Sequence, residues 1–127
     1  MEALQPFRIQ QVTVNQDDIA INQFTVEYTA QVVLVLDRKL CHYEQREVYR
    51  AFSGYSGKGR TLDQLQFLDQ EIHFETRSDD DAVNFVKAVA DHSEVWADRA
   101  NEAIGVAGTR LSSLEADLAK VIATSAD

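Results

Sequence analysis

A cluster of basic side chains around a glycine-rich segment is the part of this chain best suited to chemistry. Residues 53–60 read Ser-Gly-Tyr-Ser-Gly-Lys-Gly-Arg. Glycines let successive backbone N–H groups turn toward one anion, while Lys and Arg supply charge and Tyr a stacking surface. This combination predicts a site for a small phosphate- or nucleotide-like anion. The residues expected to form it are Arg46, Arg50, Tyr55, Gly57, Lys58, Gly59 and Arg60.

The charge of this region is opposite to that of the whole chain. The chain carries a formal net charge of −9, yet six of its twelve Lys and Arg residues lie between positions 38 and 60. Such a patch usually faces an anion or an acidic protein surface. The overall negative charge repels duplex nucleic acid and anionic membranes at long range. We therefore expect a small anionic ligand or an acidic protein partner, and neither duplex nucleic acid nor a membrane.

The glycine-rich segment does not match the strict phosphate-binding motifs. A P-loop needs Gly five positions before its Gly-Lys pair and Ser or Thr after the Lys, but Phe52 and Gly59 stand there. A dinucleotide fingerprint needs Gly or Ala where Leu62 stands. A surface loop that only joins two elements has the same composition. Both interpretations, anion site and simple connection, stay open at the level of sequence.

Other reactive residues form weaker patterns. The three His residues and the single Cys do not occur in metal-ligand spacing. Glu71, His73 and Glu75 alternate in a way that suits acid–base chemistry, but the same alternation is typical of a solvated sheet face. We therefore predict a protein without a metal or other cofactor and without enzymatic activity. A small-substrate enzyme using these three residues is a third-ranked alternative.

Composition and length predict one ordered domain in the cytoplasm. A single Cys excludes an intramolecular disulfide, and the chain lacks an Asn-x-Ser/Thr acceptor. The N-terminal residues do not resemble a signal peptide, and the apolar run Val32–Leu36 is far shorter than the about 18 residues of a membrane span. We expect residues 1–127 to form a single domain, strand-rich over 6–77 and helical over 78–124.

The first half of the chain predicts an antiparallel sheet. Apolar residues alternate from Phe24 to Leu36 in the period of a strand, and an earlier strand is expected from Phe7 to Val14. The turn-forming residues Asn15–Asp18 should separate the two. A break in alternation at Gln10–Gln11 indicates a bulge, and Glu71–Arg77 predicts a further short strand.

Residues 40–52 fit two structures. Leu40, Val48 and Phe52 share a helical face, and Gly54 is suited to a C-cap. Aromatic and β-branched residues in the same stretch also suit a strand. We favour a helix.

The last third predicts helix. Ser78 is an expected N-cap, followed by three Asp residues that interact favourably with the helix dipole, and Asp81 is placed to complete a capping box. A 3–4 heptad spacing follows. Its twelve positions, eleven of them apolar, are Val83, Val86, Ala90, Ser93, Ala97, Ala100, Ile104, Ala107, Leu111, Leu114, Leu118 and Val121. A second apolar stripe accompanies its first half, formed by Phe85, Val89, Trp96 and Ala103.

Beyond Thr109 only a narrow apolar line remains, which we call the C-terminal seam: Leu111, Leu114, Leu118 and Val121. Gly105 and Gly108 could divide the segment into two helices. An unbroken helix would be about 69 Å long, too long for one small domain to cover. The segment must therefore fold back as a hairpin or project and pair with another subunit, and we predict that the seam joins subunits.

Together these patterns predict an α+β fold, in which C-terminal helices pack on an antiparallel sheet and mediate homo-oligomerisation. The first functional hypothesis is a non-enzymatic binding protein that captures a small anion at the basic glycine-rich segment. The second is an assembly or accessory protein of a phage or other mobile element, whose basic segment docks on an acidic protein surface.

Overall fold

The computed structural model describes residues 3–21, 26–55 and 60–125 and confirms the predicted α+β fold. A four-stranded antiparallel sheet in the N-terminal half is followed by one long helix packed against it. The elements in chain order are β1 (Ile9–Ile21), β2 (Val26–Leu36), α1 (His42–Ser53), β3 (Leu62–Leu68), β4 (Glu71–Thr76) and α2 (Asp79–Ser125).

The sheet has the strand order β1-β2-β4-β3, and one of its faces carries the core. Leu34 of β2 lies opposite Ile72 of β4, and Val32 lies opposite Phe74. These four side chains are buried beneath the helices. Because side chains alternate along a strand, the intervening residues point to the other face, which is partly exposed.

The predicted turn at Asn15–Asp18 is wrong, because β1 continues through these residues to Ile21. The register between β1 and β2 shifts between Gln16 and Asp18. A bulge of this kind accommodates an extra residue without ending the strand. The bulge expected at Gln10–Gln11 is confirmed by a second register shift, between Ile9 and Gln11. Phe24, the expected start of the next strand, lies outside the described residues.

Strand β3 was not predicted from the sequence. It pairs with β4, but the register shifts between Asp63 and Gln66, and Gln64 has a φ of 58°. This irregularity interrupts the alternation of apolar and polar residues on which strand prediction depends. The short connection to β4 contains Asp69, also at positive φ, 56°.

Residues 42–53 form a helix, as favoured from the sequence. Glu44 Oε1 accepts the backbone N–H of the N-cap residue Cys41 at 3.1 Å. Val48 and Phe52 are buried. The helix ends at Ser53, and Gly54 is its C-cap with an ordinary right-handed φ of −63°.

Ser78 caps the long helix, but the predicted capping box is not formed. Ser78 Oγ accepts the N–H of Asp81 at 3.2 Å, as an N-cap should. The Ser78 N–H donates instead to Thr76 Oγ1 at 3.0 Å, and Asp81 Oδ2 accepts the hydroxyl of Thr61 at 2.6 Å. Asp81 therefore links the start of α2 to Thr61, the residue before β3.

The buried face of α2 follows the second apolar stripe at its N-terminal end. Phe85 is fully buried, whereas Val83, the first heptad position, is 58% exposed. The Phe85 ring lies 5.1 Å from the ring of Phe74 and 5.3 Å from that of Phe52, measured between centroids. The heptad register is therefore wrong at Val83, because the sheet and α1 meet the helix along the line of the large aromatic side chain.

Helix α2 is unbroken over 47 residues and is about 70 Å long. Gly105 and Gly108 lie within it, so the two-helix alternative is wrong. Every side chain from 102 to 123 is exposed apart from the partly buried Ile104. We call residues 102–123 the distal helix and the described residues before them the head.

Two groups of hydrogen bonds connect the N-terminal segment of the head to the helices. The side chain of Asn101 donates to Leu4 O at 2.9 Å and accepts Leu4 N–H at 2.7 Å. The Arg38 guanidinium donates to both carboxylate oxygens of Glu44, at 2.7 and 2.6 Å, and to Gln5 O. The hydrogen bond to Glu44 raises the pKa of Arg38 above its ordinary value, against the opposing effect of burial.

Candidate functional site

Two of the cations predicted for the anion site already face a carboxylate. Arg50 lies 3.3 Å and Arg46 lies 3.7 Å from Oε1 of Glu47, which is 11% exposed. Arg46 also stacks over the ring of Tyr43 at 5.0 Å. Glu47 partly neutralises both guanidinium groups, so an incoming anion would compete with it for their hydrogen bonds.

The remaining predicted residues lie around the two ends of the glycine-rich segment. The half-buried Tyr55 packs its ring 6.3 Å from that of Phe85, at the edge of the core. Thr61 N–H donates to Tyr55 O at 3.3 Å, which brings the two ends together. Arg60 is exposed and lines a depression of about 410 Å³. Gly57, Lys58 and Gly59 lie outside the described residues.

The depression beside Arg60 has mixed polarity. Its lining combines the cation with an acid, Asp63, and with aromatic and amide side chains; these residues are Tyr49, Phe52, Arg60, Asp63, Gln64 and Leu65. The aromatic edges can contact a ring, but Asp63 repels an anion at close range. The described residues therefore supply a positive charge and an apolar wall without a set of converging donors.

A His–Glu pair lies on the outer face of the sheet. His73 Nε2 lies 2.9 Å from Glu71 Oε1. Both side chains stand on the sheet face that the helices do not cover. Within the described ranges, His, Cys, Asp and Glu side chains do not assemble into a group of three or more that could hold a metal ion.

The C-terminal seam is an apolar line that the described part of the chain leaves uncovered. Its four side chains, Leu111, Leu114, Leu118 and Val121, are between 46% and 63% exposed. Polar residues flank them at Ser112, Ser113, Glu115 and Asp117. A continuous apolar line with a polar border marks a contact surface more often than a random scatter of exposed residues does.

The distal helix differs in charge from the rest of the chain. It carries two bases, Arg110 and Lys120, against three acids, Glu102, Glu115 and Asp117, and so has a net charge of −1. The whole chain has −9. Electrostatic repulsion between two copies is therefore weak along this helix.

Another exposed apolar side chain of this helix was not singled out from the sequence. Val106 is 66% exposed and lies off the seam. It borders a shallow groove of about 530 Å³ where the distal helix passes α1, lined also by Tyr43 and Glu102. Only the packing of α1 beside α2 reveals this groove, because its two walls are about sixty residues apart in the chain.

No protein family, curated protein or solved structure was found to match this chain. None of the helices in the described part of the chain has both the length and the apolar character needed to cross a membrane.

Proposed function

We propose that this protein is a non-enzymatic assembly protein, whose distal helix joins copies of the chain and whose head is displayed by the assembly. The observation that carries the proposal is the exposed C-terminal seam on a helix that extends beyond the head. The head supplies the buried contacts for the first half of α2 only.

The distal helix would be more stable if a partner covered its apolar side chains. Most helical stability in proteins comes from packing an apolar face, and short isolated helices are marginal in water. Gly105 and Gly108 each cost about 1 kcal/mol relative to Ala in a helix interior. Complete burial of one Leu or Val side chain stabilises by about 1.5–3 kcal/mol. A second seam placed against the first would provide that burial on both chains.

A second copy is the partner that the charges favour. The distal helix has nearly balanced charge, so two of them can approach without strong repulsion. An apolar seam with small residues beside it also lets two helices come close. The head would then be present in more than one copy, which increases the avidity of any weak site that it carries.

Anion capture by the basic glycine-rich segment stays a prediction beside this proposal. Arg60 supports it because this cation is exposed beside aromatic side chains. Arg46 and Arg50 support it less, because Glu47 holds both.

Leu114→Asp is expected to dissociate the assembly. A carboxylate in the middle of the seam would have to be buried against apolar side chains, which is strongly unfavourable. Light scattering should give the mass of one chain for the variant and a larger mass for the wild type. At a protein concentration of about 100 µM, a complex with a micromolar dissociation constant is almost fully formed.

Ala116→Asp provides the matched control. It introduces the same charge two residues away, on the side of the helix opposite the seam. Its mass should equal that of the wild type. Equal masses for the wild type and Leu114→Asp would refute the proposed role of the seam, and circular dichroism of both variants would reveal any loss of helix.

A further inference from the structure

The C-terminal seam continues the face of α2 that the head covers. Eighteen residues make five whole turns of an α-helix, so residues eighteen apart point in the same direction. Four residues buried under the head have seam-side counterparts at this spacing. The pairs are Val89 and Ala107, Ser93 and Leu111, Trp96 and Leu114, and Ala100 and Leu118.

This continuity restricts how a second copy can lie against the seam. In a parallel, in-register pair, the second helix would also lie along this face on the N-terminal side of residue 102. That space is filled by the head, which buries Trp96, Ala97 and Ala100 there. Both heads would have to occupy the volume between the two helices, so the parallel arrangement is sterically excluded unless the helices separate.

We infer that two copies pair through their distal helices in antiparallel orientation, with the two heads at opposite ends and on opposite sides of the pair. This inference rests on the proposed function. In the register that aligns the seams, Leu111 of each copy faces Leu114 of the other. Ile104 then faces Val121, and Ala107 faces Leu118. The paired region, residues 104–121, is about 26 Å long, and the last turn of each helix, residues 122–125, then lies against the head of the other copy.

Charge complementarity agrees with this register. Arg110 and Asp117 both border the seam on the same side, and the antiparallel register brings Arg110 of each copy beside Asp117 of the other. The pair occurs twice by symmetry. Glu115 borders the other side and meets Gly108, so like charges are not opposed. A parallel pair would match Arg110 with Glu115, so the position of the head, not the charge, decides between the orientations.

Distances between spin labels on the two copies test the orientation. Cys41 is the single cysteine. On a Cys41→Ser background, Glu102→Cys and Ala116→Cys introduce label sites on the side of the helix opposite the seam. In the antiparallel pair, the two 102 positions are separated by about 31 Å along the helix axis and the two 116 positions by about 10 Å. Pulsed electron paramagnetic resonance should therefore give a distance about 10–20 Å longer at 102 than at 116.

The result separates the inference from the proposed function. Equal, short distances at both positions would show a parallel pair, which overturns the antiparallel inference and leaves self-association intact. The absence of any intermolecular distance, together with one-chain mass by light scattering, would overturn both. Light scattering of the labelled proteins against the unlabelled wild type checks that the labels themselves do not change the association.

Discussion

Arg38→Met is expected to lower the free energy of unfolding by about 3 kcal/mol, because it leaves the buried Glu44 carboxylate without its counter-charge. The Glu44 side chain is fully buried, and Arg38 donates to both of its oxygens. Removing one partner of a buried ion pair typically costs about 3–5 kcal/mol. Arg38 itself is 22% exposed, so water can partly reach the vacated site, and the lower end of that range is expected.

Methionine removes the charge of Arg38 and its hydrogen bonds but keeps much of its packing. It keeps an unbranched apolar stem beside Phe7, over whose ring the Arg38 guanidinium lies at 5.7 Å. Urea denaturation followed by circular dichroism measures the change.

Two comparisons control this experiment. Arg50→Met removes a cation that is 65% exposed, and Glu47 keeps its second partner Arg46, so the expected loss is only about 0–1 kcal/mol. Arg38→Met/Glu44→Leu removes both charges, so it should recover at least half of the lost stability, because an apolar pair can replace a buried ion pair. If Arg38→Met and Arg50→Met have the same small effect, Glu44 does not depend on Arg38 for its charge.

Phe85→Ala is expected to destabilise the protein by about 3–5 kcal/mol, the usual cost of deleting a buried aromatic side chain. Phe85 is fully buried and its ring contacts those of Phe74, Phe52 and Tyr55. It therefore joins the sheet, α1 and α2 at one point. A cavity there would loosen all three elements together, and the urea midpoint should fall accordingly.

Val83→Ala is the control for this prediction. Val83 lies two residues earlier in α2 but is 58% exposed, so its truncation should change stability by at most about 0.5 kcal/mol. The heptad register of the sequence places Val83, and not Phe85, on the packed line. A larger loss for Val83→Ala than for Phe85→Ala would favour that register and contradict the packing described above.

The alternation of apolar and polar residues predicted a strand correctly where one face of the strand is buried along its length. The alternation in β2 and β4 identified both strands and their core-facing residues, because each packs one face beneath the helices. β3 was missed because a bulge and a positive φ at Gln64 interrupt its alternation. Asn15–Asp18 suggested a turn, but pairing with β2 provided the backbone hydrogen bonds that override local turn preference.

Contacts between residues far apart in the chain could not be predicted from the sequence. Asn101 forms hydrogen bonds with the backbone of Leu4, 97 positions away, and no sequence pattern links the two residues. The capping box at Ser78 and Asp81 was reasonable locally, but Thr61 reaches Asp81 only after the sheet has formed. A glycine pair suggested a break in α2, yet the helix continues, since Gly at a cost of about 1 kcal/mol weakens a helix without ending it.

The candidate surfaces differ in how far sequence could define them. The C-terminal seam required only helical spacing, and the structure adds that its residues lie beyond the head on the same face of α2. The anion hypothesis required knowledge of which cations are already paired. Glu47 lies one helical turn before Arg50, so this pairing depends on the 40–52 segment being helical.

Sedimentation of the wild-type chain over a range of concentrations tests self-assembly most directly. From about 1 µM to several hundred micromolar, which spans the affinities expected for a short helical interface, the weight-average mass should rise from 14.3 kDa toward twice that value. A mass that stays at 14.3 kDa over the whole range would contradict the account, because the C-terminal seam would then remain exposed without a second copy to cover it.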